Sequence, residues 1–137
     1  MTEDSLKLPA PGLSDLSRPF WQALDGGALS FQRCASCGHA WLPARSECPN
    51  CLGDAWSREP ASGSATLVSW VVYRHAYHPA FAPRLPYTVA VVRLAEGPQM
   101  ISNITGDVDA AALRIDQPLR LVVETEDGIA VPRFAPA

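Results

Sequence analysis

A chain of 137 residues that is 47% hydrophobic has room for one ordinary domain or two very small ones, and it contains no apolar stretch of membrane-spanning length. Its 14 acidic residues outnumber its 11 basic ones, and a formal net charge of −3 argues against nucleic acid as the default partner. Ten of the eleven basic residues are arginine and only Lys7 is lysine, a bias that GC-rich codon choice explains more simply than bidentate recognition of carboxylate or phosphate.

The first residues, MTEDSLKLPAPG, have neither a basic n-region nor an apolar h-region, so nothing marks export and a soluble, cytoplasmic protein is expected. Residues 1 to about 13 lack periodicity and apolar anchors and read as a loose arm. A short helix follows. Ser17 is placed to cap it, Pro19 fits its first turn, Phe20, Trp21 and Leu24 form one apolar face, and Gly26-Gly27 ends it. So short a helix is unstable alone in water, so its two aromatics, Phe20 and Trp21, must dock, either on the chain's own core or on a partner. Arm and helix together make a first unit, residues 1–28.

Residues 29–59 form a second unit around four cysteines, the only ones in the chain: Cys34 and Cys37, then Cys48 and Cys51, with ten residues between the pairs. Each C-x-x-C turn delivers two thiolates from one backbone knuckle, and two knuckles complete a tetrahedral metal site. The ten residues between can extend to roughly 33 Å, enough to run out and return as a hairpin. Gly38 follows the first pair where the chain must turn sharply, and Gly53, two residues past the second pair, is placed for the same need. Leu29 to Arg33 alternates as a strand into the first knuckle, and Ala40 to Pro43 leads away from it. Disulfides fit poorly without an export signal, and a redox pair would need a single C-x-x-C heading a helix. Zinc is favoured, one ion per chain, although iron in a rubredoxin-like electron carrier uses the same ligands. Four thiolates leave no position open for water, so the metal is structural. His39, beside the first knuckle, is expected to be an exposed loop residue. A module this small has little core, and metal binding supplies its missing folding energy.

Residues 60–137 read as five strands separated by turns: Ser64 to Tyr73, Tyr87 to Leu94, Gln99 to Thr105, Leu119 to Thr125 and Ile129 to Phe134. Val108 to Leu113 can make one helical turn between the third and fourth. The pattern β-β-β-α-β-β is that of a five-stranded OB-fold barrel, whose closure hides edges a small sheet would otherwise expose. The fold class expected is mainly β: an N-terminal helix, a rubredoxin-like zinc ribbon and a C-terminal OB barrel.

Taken in this order, the helix, the two knuckles, Pro43-x-Arg45 between them, Pro86-Tyr87 opening the second barrel strand and the terminal Pro132-x-Phe134 resemble the acyl-CoA-associated zinc-ribbon/OB-fold family, domain of unknown function 35, over residues 17 to 134. The turn before the fourth strand, Ile115-Asp116-Gln117-Pro118, departs from that family by lacking its usual glycine. The resemblance implies a non-catalytic accessory subunit in a hetero-oligomer with a thiolase-superfamily enzyme (thiolase, acyltransferase or aldolase), or with a hot-dog-fold hydratase, helping to form or channel its acyl-CoA site.

The residues agree with a non-enzyme, since there is no Gly-rich phosphate loop, no G-x-S-x-G elbow and no cysteine left to act as nucleophile. No catalytic residue is assigned. The segment from Tyr73 to Tyr87 concentrates aromatic and basic side chains between three prolines, and such preordered loops make good binding surfaces. The candidates for contact with CoA or a partner are Trp70, Arg74, His75, Tyr77, His78, Phe81, Arg84 and Tyr87; arginine suits CoA's phosphates and the rings its adenine. A single-stranded nucleic-acid-binding zinc-ribbon/OB protein is the other reading, disfavoured by charge and by Arg93 as the lone base on the second and third strands.

Overall fold

The computed structural model describes residues 7–137. The remaining part of the expected arm lies outside them. The helix α1, Arg18–Asp25, is entered through a serine pair. Ser14 Oγ accepts from the Ser17 amide at 3.1 Å while Ser17 Oγ accepts from the Ser14 amide at 2.9 Å, a reciprocal capping arrangement. Ser17 was expected to be the cap, but its backbone is already helical and its side chain caps nothing downstream. The first turn starts at Ser14, whose carbonyl accepts from Arg18. Leu24 is buried, and Phe20 and Trp21 pack edge to face, centroids 5.3 Å apart, against the same core.

The ribbon is a three-stranded antiparallel sheet in the order β2-β1-β3, with β1 Ser30–Cys34, β2 Ala40–Trp41 and β3 Trp56–Pro60. β3 was not anticipated. Its sequence, Trp-Ser-Arg-Glu-Pro, lacks apolar alternation, yet it pairs along all of β1 from Ser30↔Pro60 to Cys34↔Trp56.

Five antiparallel strands then make the barrel: β4 Ser64–Tyr73, β5 Tyr87–Leu94, β6 Gln99–Asn103, β7 Pro118–Glu126 and β8 Ile129–Pro136, in the order β6-β5-β4-β7-β8. β4 pairs with β5 from Ala65 to Tyr73, its first residues Ser64 to Thr66 pair with β7 on the other edge, and a bulge between Leu67 and Ser69 supplies the bend. The barrel nearly closes where Ile104 bridges Phe134 in parallel and Ser102 Oγ donates to the Pro132 carbonyl at 2.8 Å. A single 3₁₀ turn, Ala110–Ala112, sits where the OB helix was expected, with Leu113 buried behind it. Where the usual glycine is missing, Asp116 itself takes the left-handed conformation, φ +66°, and its amide donates to the Leu67 carbonyl at 2.7 Å. Aspartate is among the side chains that tolerate that region.

Helix, ribbon and barrel share one core. Leu24, Leu29, Phe31 and Leu42 from the first two bury against Leu67, Val92, Leu94, Leu119 and Phe134 from the third. A second, smaller cluster gathers Cys34, Trp41, Cys48 and Trp56 inside the ribbon.

Candidate metal centre and binding loop

The four cysteine sulfurs converge, all lying within 4.8 Å of one another. Cys34 Sγ stands 3.5 Å from Cys51 Sγ, and Cys37 Sγ 3.6 Å from Cys48 Sγ. A tetrahedron of sulfurs each about 2.3 Å from zinc has S···S edges of about 3.8 Å, so the cluster fits the ion.

The two knuckles repeat one construction. The Ser36 and Cys37 amides point at Cys34 Sγ (3.4 and 3.5 Å), and the Asn50 and Cys51 amides point at Cys48 Sγ at the same distances. In each, the first cysteine's amide donates back across the turn, to the His39 and Gly53 carbonyls respectively, at 2.8 Å. Gly38 takes φ +77°, and its counterpart in the second knuckle is Leu52 at φ +65°, not Gly53. The expectation that Gly53 serves a sharp turn is therefore corrected. Gly53 is needed for proximity, since a Cβ there would lie 3.3 Å from Cys51 Sγ.

In the first knuckle these contacts bias the sulfurs toward the charged form that binds metal. Backbone amides, foremost that of Cys37, pull the Cys34 thiol down to about 6. Asn50 lowers Cys37 through its side-chain amide, 3.6 Å from the sulfur. Cys51 goes the other way: the Gly53 amide favours its thiolate, but the neighbouring thiols and burial together push it up to about 12. Four thiolates repel one another until a cation sits among them. With all four positions filled by protein the metal supplies folding energy, and no coordination site is left for substrate.

Two further side chains hold the ribbon's long connection in place. Trp56 Nε1 donates to the Ser46 carbonyl at 3.0 Å, and the buried Gln32 side chain pairs with the backbone of Arg45. Arg33 reaches over the first knuckle, donating to the Gly38 carbonyl at 2.9 Å.

Beyond β4, the loop to β5 is built around a run of ring contacts. His75 meets Tyr77, Tyr77 meets Tyr73, Tyr73 meets Tyr87, Tyr87 meets Phe81 and Phe81 meets His78, with centroids 4.7 to 6.3 Å apart. His78 caps the loop's 3₁₀ turn, Pro79–Arg84, its Nδ1 accepting from the Ala80 amide at 3.1 Å. Arg84 closes the loop onto the barrel: its guanidinium lies 3.2 Å from Glu126 Oε2, and that oxygen also receives Arg133 at 3.1 Å. The Glu126 side chain is 9% exposed. Glu126 was not singled out in the sequence, where nothing local marks an acid at the end of β7 as an anchor for a loop so far away.

The eight loop and strand candidates thus separate into three groups. Trp70 packs against the barrel core. His78, Phe81, Arg84 and Tyr87 are engaged in holding the loop's shape, and Phe81, Arg84 and Tyr87 also border a hollow of about 150 Å³. Arg74, His75 and Tyr77 line an outward-facing concavity of about 370 Å³. Among the described residues Arg74 has no carboxylate in ion-pair range, so its charge is available to a ligand. Trp21 and Phe81 border a third hollow, about 360 Å³, covered by Leu8, Pro9 and Pro11 of the arm. The Leu8 amide ties that arm to Asp127 at 2.7 Å. Among the described residues no helix is long and apolar enough to cross a membrane.

Residues 21–57 match the family described as the ChsH2 rubredoxin-like zinc ribbon domain, and residues 58–124 that of the ChsH2 C-terminal OB-fold domain. Over 94% of its length the chain is 32% identical to a probable enoyl-CoA hydratase alpha subunit of Thermomonospora curvata, of which it spans 40%. It is 31% identical to a DUF35 domain-containing scaffold protein of Methanothermobacter thermautotrophicus, covering 74% of this chain and 79% of that one. Among solved structures, a chain of the Ltp2-ChsH2(DUF35) aldolase superposes with a TM-score of 0.80 at 30% identity, over 93% of this chain and 98% of that one.

Proposed function

The chain belongs to the DUF35 family of zinc-ribbon and OB-fold scaffold proteins, and from that premise we propose that it is the non-catalytic accessory subunit of an acyl-CoA-processing complex. Its partner is a thiolase-superfamily enzyme, a thiolase, acyltransferase or aldolase, and the assembly can also take in a hot-dog-fold hydratase. The observation that carries this reading is the likeness, over nearly its whole length, to a chain of the Ltp2-ChsH2(DUF35) aldolase. The hydratase alpha subunit among its relatives supports the acyl-CoA substrate class. Because a fold alone assigns no activity, the chemistry of the site has to agree.

It does agree. The four cysteines are consumed by the metal, and among the described residues the one hydroxyl–carboxylate pair that lines a hollow, Thr105 with Glu124, has no histidine beside it, so the reacting groups come from the partner. What this chain supplies is a shaped rim. Arg74, unpaired among the described residues and outward, can meet a phosphate or diphosphate of CoA, and Tyr73 and Tyr77 offer ring faces to adenine. The Glu126 anchor fixes the loop before ligand arrives, which lowers the entropy lost on binding. Zinc works at one remove, holding the ribbon that completes the subunit.

Co-expression with candidate thiolase-superfamily and hydratase subunits, followed by size-exclusion chromatography and an acyl-CoA turnover assay, tests this reading. A stable complex whose turnover falls when this chain is omitted is expected. A chain that stays alone beside every such enzyme, and whose omission leaves turnover unchanged, would sink it.

A further inference from the structure

The solvent side of β4, β5 and β6 carries a continuous apolar strip. Register sets Val71 opposite Val89 and Val91 opposite Ile101, so strand alternation brings all four to the outer face. Val71 is 55% exposed and Ile101 73%. At one end the strip runs into Tyr73 and Tyr77, the latter 83% exposed. At the other, Ile101 borders a hollow of about 260 Å³ lined by Phe20, Leu42, Pro43 and Met100, at the seam of barrel, helix and ribbon. Four of the seven large apolar side chains exposed among the described residues fall on this one band. Such concentration marks an interaction surface, whereas exposed apolar residues scattered singly do not.

The charges around it narrow the occupant. None of the residues lining the strip and its two end hollows is acidic, in a chain with 14 acidic residues. Arg74 stands at one end, and Arg93, exposed on β5, continues the outer face past Val91. A second copy of this chain would bring arginine to arginine across a two-fold axis with no carboxylate between them. A nucleic-acid strand would find aliphatic side chains along the middle of the band, where stacking needs rings.

We infer that this strip is the docking face for the enzyme subunit, and that the enzyme meets it with an apolar patch rimmed by carboxylates. This rests on the accessory-subunit reading and deepens it, because the same face would set the concavity at Arg74 and Tyr77 against the enzyme's surface.

The test uses the full chain co-expressed with candidate thiolase-superfamily subunits. Val71→Asp and Ile101→Asp each place a charge in the interface without disturbing the core, and Ile115→Asp, at an exposed site off the band, is the control. Each of the first two should weaken the complex by about 10-fold or more with zinc content and circular dichroism unchanged, and Ile115→Asp should not. A complex equally tight in all three variants would overturn the docking face and leave the accessory reading intact. Failure of any complex to form with the wild type would defeat that reading and this face with it. Sedimentation showing a homodimer, or oligo-dT binding, abolished by Ile101→Asp would reassign the strip to a second copy or to nucleic acid and equally overturn the proposal.

Discussion

The carboxamide of Gln32 closes on both backbone groups of Arg45: Nε2 donates to the Arg45 carbonyl at 2.8 Å and Oε1 accepts from the Arg45 amide at 3.0 Å. A side chain thus imitates one rung of a β-ladder at a place where the connection between knuckles has no strand to pair with. Gln32 is 1% exposed, so no water replaces it. Gln32→Leu should cost about 2 to 3 kcal/mol by leaving both groups unpaired. Thermal denaturation and the rate of zinc transfer to a chromophoric chelator would read it, with faster release expected. An unchanged release rate would mean the connection is held by Trp56 alone.

Elemental analysis should find one zinc per chain in a colourless protein; red protein with a thiolate-to-iron absorption band would identify the ribbon as a rubredoxin-type site. Metal uptake requires four thiolates, and Cys51 holds its proton well above neutrality in the metal-free site. Zinc binding at neutral pH should therefore release protons, and affinity should rise with pH. A calorimetric titration in buffers of different ionisation enthalpy measures that release directly.

Leu52 carries a left-handed backbone where the first knuckle has glycine, and its side chain is exposed. Leu52→Gly should raise stability by about 1 kcal/mol, since the strain relieved exceeds the added freedom of the unfolded chain. Gly38→Ala should lower it by a similar amount. A melting temperature that falls for Leu52→Gly would show that the leucine makes contacts worth more than its strain.

Glu126 joins the 74–86 loop to the β7–β8 hairpin through Arg84 and Arg133. Glu126→Gln leaves two guanidinium groups without their counter-charge in a poorly solvated place, a loss of about 2 kcal/mol after allowing for the partial exposure of Arg84. Amide hydrogen exchange should quicken across residues 74–86 and stay unchanged in the ribbon. If the loop keeps its protection, the aromatic run holds it without the carboxylate.

The barrel strands and the metal site were readable because each obeys a short-range rule. β4 and β5 show their alternation or apolar run directly, and the cysteine spacing needs only the geometry of a knuckle. β3 was invisible for the opposite reason: Trp56–Pro60 is half-exposed on both faces, so no periodicity distinguishes it from a linker, and only pairing with β1 makes it a strand. The helix was correct in place and wrong in its cap, because Ser14 and Ser17 are chemically equivalent and only their mutual bonding decides which begins the turn. The loop was recognised by composition, but composition does not separate Arg74, which has no ion-pair partner among the described residues, from Arg84, whose partner lies distant in sequence.

The passage from ribbon to barrel is short and fastened at each step. β3 ends at Pro60, Ala61 bonds to Leu29, Ser62 bonds to Glu96, and β4 begins at Ser64. With one core common to both halves, moving one against the other would expose side chains that are now buried. Ribbon and barrel therefore stand at a fixed angle, with the knuckles and the barrel rim held in a set relation. A Gly-Gly insertion after Ala61 would put slack into that passage and loosen the set relation between ribbon and barrel.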